Sequence, residues 1–132
     1  MPDSATTPSE VDRLPPMTHY VLGLLHRPPG LPSLPEGEAA RLQERHLAHL
    51  RHLRESGELI ASGPFEEETA LRGILIFRTD SVARARELMR DDPAVSSGRL
   101  RLELYTWYAP AGLGTPGTTT APVGTELTFD TD

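Results

Sequence analysis

The chain has 132 residues, room for one domain and some tail but not for two full domains. It has no Cys, Lys or Asn, and all 13 basic residues are Arg, which excludes thiol nucleophiles, disulfides, zinc ribbons, iron–sulfur clusters, Schiff-base chemistry, lysine-dependent phosphate loops and N-glycosylation. The net charge of −6 sits mostly in the two ends: residues 17–109 hold 13 acids against 12 Arg, and no basic stripe with interleaved aromatics offers itself to nucleic acid.

Residues 1–16 and 110–132 are rich in Pro, Thr, Ser and Gly, with too little apolar surface to offset the entropy of ordering them. They read as flexible tails around a domain at 17–109. The N-terminus has neither a basic n-region nor an apolar h-region, so no signal peptide is expected. The longest apolar run, Tyr20 to Leu25, falls far short of the roughly 18 residues of a bilayer span. The expectation is a cytoplasmic bacterial protein. The apolar alternation from Glu126 to Phe129 would suit pairing with a neighbour's edge strand.

Thr18 to Arg27 reads as a first strand, and the prolines of 28–35 (PPGLPSLP) end it, because proline lacks the ladder N–H. From Glu36 to Ser56 the spacing of Ala39, Leu42, Leu50 and Leu53 predicts a helix that Gly57 stops. A short strand over Glu58 to Ser62 follows, closed by Gly63-Pro64. Glu66-Glu67-Glu68 falls on a loop, and Leu71 to Arg78 forms a third strand. Ser81 offers a cap for a second helix that ends before Pro93. Leu100 to Tyr108 alternates apolar and polar residues, as a half-buried strand does.

The order βαββαβ predicts a ferredoxin-like α+β sandwich: an antiparallel sheet with two helices on one face. Apolar positions on both faces of Ile74 to Phe77 imply that the open face is also covered, most simply by a second copy of the chain. A homodimer is therefore expected.

Two features bear on chemistry. In His46-x-x-His49-x-x-His52, a turn of about 100° per residue puts His46 within the apolar stripe of the first helix, His49 on its rim and His52 toward solvent. The three do not converge on one metal ion, and no HExxH pattern supplies a better set. The second feature is Asp91-Asp92-Pro93. Extending the buried stripe of Val82, Ala85, Leu88 and Met89 brings Asp92 inward, at a helix C-terminus whose dipole disfavours a carboxylate. Such an aspartate needs a partner. An inward His from the other helix would serve, the carboxylate fixing the imidazole's tautomer. The plainer readings are a core histidine with a satisfied ring and a turn-forming aspartate before proline. No GxSxG, dinucleotide fingerprint or phosphate loop occurs. Arg72, beside Gly73, is a candidate for an anionic substrate, with an ordinary surface arginine as the alternative.

Four stretches, Arg45-His46-Leu47-Ala48-His49-Leu50, Gly57-Glu58-Leu59-Ile60-Ala61-Ser62-Gly63-Pro64-Phe65, Leu71-Arg72-Gly73-Ile74 and Asp92-Pro93-Ala94-Val95-Ser96-Ser97-Gly98, occur in order at suitable intervals. Together they resemble the YciI-related (YCII domain) family over about residues 18–108. The resemblance implies a dimeric ferredoxin-like domain of the α+β barrel type with a His–Asp pair in a pocket, the matching positions being His46 and Asp92. His49, Gly63, Pro64, Phe65 and Arg72 are the candidate substrate-binding positions, and an enzyme independent of metal or cofactor is expected. Dehydrochlorination of a chlorinated hydroxyhydroquinone is one activity of that family. The chain departs from many relatives at His49, at Ala94 and in its Pro-rich loop 28–35.

The expected function is thus acid–base chemistry by His46 and Asp92, a lyase or isomerase acting on a small cyclic or phenolic substrate. The alternative is a non-catalytic module whose pocket holds a small ligand for regulation. Cofactor-free oxygenation is a third class, suggested by fold analogy alone.

Overall fold

The structure, a computed structural model, describes residues 15–114. The predicted tails, including the pairing of Glu126 to Phe129, fall largely in 1–14 and 115–132, outside the described residues. Four strands and three helices follow in the order β1 (Met17–His26), α1 (Glu38–Glu55), β2 (Leu59–Pro64), β3 (Leu71–Phe77), α2 (Val82–Met89), α3 (Pro93–Ser96) and β4 (Arg101–Pro110). All strand pairings are antiparallel, in the order β2-β3-β1-β4. This is the ferredoxin-like α+β sheet, with α1 against β2 and α2 against β4.

Strand periodicity divides the sheet into two faces. Val21, Leu25, Leu75 and Phe77 are fully buried and meet Leu50 and Leu53 of α1, Ala85 and Met89 of α2, and Ala94 of α3. Gly23 lies on the same face. A Cβ there would come within 3.3 Å of the Leu102 and Leu104 side chains and 3.4 Å of Phe77, so the absent side chain lets the central strand sit under its neighbours. The opposite face carries Leu22, Leu24, Ile74 and Ile76, all half-buried.

Local signals account for most boundaries. Helix α1 ends where Gly57 adopts φ 85°, a left-handed conformation that favours glycine; the Ser56, Gly57 and Glu58 amides donate back to His52, Arg54 and Leu53 carbonyls. Helix α2 starts at Ser81, whose hydroxyl accepts from the Arg84 amide at 3.0 Å. Two elements exceed the sequence expectation. Strand β2 runs through Gly63 to Pro64, allowed because it is an edge strand. Strand β4 continues to Pro110, paired with Met17, and the Ala111 amide donates to the Pro16 carbonyl. The following turn, to Gly114, is pinned by Tyr20, whose hydroxyl donates to Pro110 O and accepts from the Leu113 amide, each at 3.2 Å.

Candidate functional site: a buried histidine–aspartate pair

Helix α1 buries Leu42, His46, Leu50 and Leu53, a stripe at four- and three-residue steps. His46 occupies the middle of it and is 0% exposed. Asp92, also 0% exposed, lies 46 residues further along the chain. The two meet at 2.7 Å between His46 Nδ1 and Asp92 Oδ1, inside the range of a charge-assisted hydrogen bond.

The route by which Asp92 points inward differs from the sequence expectation. Helix α2 stops at Met89, and Asp92 does not end it but opens α3: it is the N-cap, with φ −71° and ψ 120°, and Pro93 takes the first helical position. Its second oxygen, Oδ2, accepts from the Val95 amide at 3.1 Å. The electrostatic conflict with a helix C-terminus is therefore absent. A carboxylate at a helix N-terminus is favoured by the dipole and by the free first-turn amides. One side chain thus holds a helix start with one oxygen and an imidazole from another helix with the other, and it ties α3 to α1.

The other histidines are placed as the periodicity predicts. His52 is exposed. His49 is half-buried, and its Nε2 donates to the Leu88 carbonyl of α2 at 2.8 Å, so it braces the two helices. Among the described residues no group of three or more His, Cys, Asp or Glu side chains gathers to hold a metal ion.

The remaining candidate positions sit on the β2–β3 hairpin. Gly63 and Pro64 end β2, Phe65 begins the connection, and the Phe65 amide donates to the Arg72 carbonyl at 2.9 Å. The Arg72 guanidinium donates to Thr69 O at 2.9 Å and to Glu67 O at 3.4 Å, holding the acidic loop closed. The structure thus joins His46 with Asp92 and brings His49 onto α2; it gives Gly63, Pro64, Phe65 and Arg72 to the hairpin at the opposite sheet edge from β4.

A cavity of about 480 Å³ opens one turn before His46. Leu42, Arg41 and Arg45 of α1 form one wall, Ser97 and Arg99 another, and Leu31, Pro32 and Leu34 of the Pro-rich segment a third. Arg99 is only 6% exposed and donates from Nη1 to Pro32 O at 2.6 Å, tethering that segment to the chain beyond α3. Sequence reasoning missed Arg99: nothing local marks an arginine that serves a loop 67 residues away.

On the open sheet face, His26, Glu103 and Tyr105 form a polar group. His26 Nε2 lies 2.8 Å from Glu103 Oε1. The Tyr105 hydroxyl, followed by His26, holds the Glu103 carboxyl below the usual carboxylate range, and Glu103 in turn pushes the Tyr105 hydroxyl up.

A model of the YCII-related domain matches residues 20–107. No curated protein matches the chain. Among solved structures, the 5-chloro-2-hydroxyhydroquinone dehydrochlorinase TftG from Burkholderia phenoliruptrix AC1100, in complex with 2,5-dihydroxybenzoquinone, is similar with a TM-score of 0.46 and 16% identity, covering 67% of this chain and 92% of that one. With the domain model reaching into every strand of the sheet and including both residues of the buried pair, the chain belongs to the YCII-related domain family.

Proposed function

We propose that this protein is a small enzyme that uses His46 as general base or acid, with Asp92 as the positioning carboxylate. The observation that carries this reading is the 2.7 Å Nδ1–Oδ1 contact between two wholly buried groups from different elements. With Asp92 accepting from Nδ1–H, the imidazole lone pair is assigned to Nε2, the nitrogen that takes or returns a proton. Asp92 is itself immobilised by the Val95 amide, so the pair is ordered before any substrate arrives.

An acid–base pair of this kind suits a narrow set of reactions: abstraction of a proton from carbon, then expulsion of a leaving group such as chloride, or return of the proton at another carbon. The substrate class is a small cyclic or phenolic molecule, in keeping with the family resemblance. Entry runs through the cavity beside Leu42 and Arg45. An α-helical side chain leans toward the helix N-terminus, which tips His46 toward that cavity. The chain acts as a homodimer joined through the sheet face that carries Ile74 and Ile76, in the cytoplasm.

One observation favours a second reading. Both side chains are completely closed off, and a group that touches substrate must be reached. In that reading the pair is a structural pin between α1 and α3, and the protein is a ligand-binding module. The test is hydrogen–deuterium exchange in D2O over a panel of hydroquinones and phenols, with and without chlorine, followed by NMR together with chloride release. The acid–base reading expects enzyme-dependent deuterium incorporation that falls about 10²–10⁴-fold in His46→Gln. Binding with no exchange, or exchange unchanged by that substitution, leaves the binding module.

A further inference from the structure

A second cavity, of about 470 Å³, lies between the C-terminal half of α2, the end of α3 and the start of the edge strand β4. That volume falls within the roughly 300–1,000 Å³ of small-molecule sites. Its floor is apolar: Met89 and Leu100 are buried core residues, and Leu102 and Val95 pack against the core. Its rim is cationic, formed by Arg86, Arg90 and Arg101.

No carboxylate lines this cavity. Among the described residues none of the three arginines makes an ion pair or a side-chain hydrogen bond. Of the nearby acids, Glu87 is paired with Arg84; Glu103 is held first by Tyr105 and His26 and also lies within the field of Arg101, and Asp91 follows Arg90 at the exposed end of α2. Arg86 and Arg90 stand four residues apart on one helix face, where like charges repel. The α2 dipole offsets part of that repulsion at a helix C-terminus. It does nothing for Arg101, which arrives from a strand, and it does not explain an apolar floor beneath three guanidinium groups.

We propose that this cavity binds a small aromatic acid, its ring on the half-buried Val95 and Leu102, which Met89 and Leu100 back from the core, and its carboxylate received by the arginine rim. A guanidinium fork donates two parallel hydrogen bonds to a carboxylate, which a point charge does not match. The site stands apart from the acid–base reading and holds whether or not His46 moves a proton. It nevertheless borders that pair, because Met89 and Val95 flank Asp92 in sequence and Val95 donates to its carboxylate.

The test is an NMR titration of the full chain with 1-naphthoate, compared with 1-naphthamide, which keeps the ring and loses the charge. Saturable naphthoate binding is expected, with the largest shifts at the Met89, Val95, Gly98 and Leu102 amides and affinity at least about tenfold above that of the amide. The triple substitution Arg86→Gln, Arg90→Gln, Arg101→Gln should remove that preference and leave naphthamide binding unchanged. Equal affinity for the two probes, shifts centred on another surface, or no saturation would each overturn the site. The two-probe comparison needs no variant, so it decides the matter even if the triple variant does not fold.

Discussion

Replacing Asp92 separates its two duties. In Asp92→Ala the Val95 amide loses its cap, which costs about 0.5–2 kcal/mol, and buried His46 Nδ1–H loses its acceptor, which costs about 1–3 kcal/mol. The two oxygens act on different groups, so the losses combine to about 1.5–5 kcal/mol, a fall in Tm of roughly 6–40 °C for a domain of this size. Asn behaves differently. Its single oxygen can keep the Val95 amide only if its NH2 faces His46, and two donors then oppose each other unless the imidazole proton moves from Nδ1 to Nε2. Asp92→Asn should therefore cost only about 1 kcal/mol, since the cap survives, yet reverse the His46 tautomer. Long-range 1H–15N correlation spectra of the imidazole read the tautomer directly, and thermal unfolding reads the stability. An unchanged Nδ1–H tautomer in Asp92→Asn, or a Tm as low as that of Asp92→Ala, would refute the assignment of separate roles to Oδ1 and Oδ2.

The double variant His46→Leu, Asp92→Ser keeps a capping hydroxyl and leaves no buried charge, and by thermal unfolding it should be more stable than His46→Leu alone, which strands a carboxylate at a cost of about 3–5 kcal/mol. Glu103 has its folded-state pKa lowered, so its contribution is present above the unfolded value near 4.3 and disappears as pH falls through the lower folded value; Glu103→Gln should flatten the Tm profile below about pH 4.5 and change little at pH 7. Sedimentation should give a dimer burying at least about 1,000 Å², and Ile76→Arg, in the middle of the open face, should yield monomer. Leu50→Ala, which empties a 1% exposed core position, should cost about 2–5 kcal/mol by denaturant unfolding.

The fold was legible because its signals are local and mutually consistent. The alternation of Leu102 and Leu104 with Glu103 and Tyr105, the three- and four-residue steps from Leu42 to Leu53, Gly57 as a helix stop and Ser81 as a cap each predict an element that is there. The errors came where a local rule met a tertiary one. Proline at position 64 reads as a strand terminator, but the strand is at the sheet edge and tolerates it. Pro110 reads as the start of a tail, but ladder pairing with Met17 and the Tyr20 hydroxyl fix it in place.

The site divides along the same line. Inward placement of His46 followed from helical period alone, because residues 42, 46, 50 and 53 share one stripe. Asp92 was also found by period, though the helix carrying that period stops at Met89, and what turns the side chain inward is its capping of α3. Two mechanisms pointed to the same residue, and only the capping one is operating. The arginine rim had no such signal: Arg86 and Arg90 read as the solvated face of a short helix, and Arg101 as the polar phase of a strand. Each reading is correct for its own element. Only the packing of α2 against the edge strand turns three ordinary surface charges into one cationic rim over a hydrophobic floor, and that packing is set by Met89 and Leu100, which carry no charge at all.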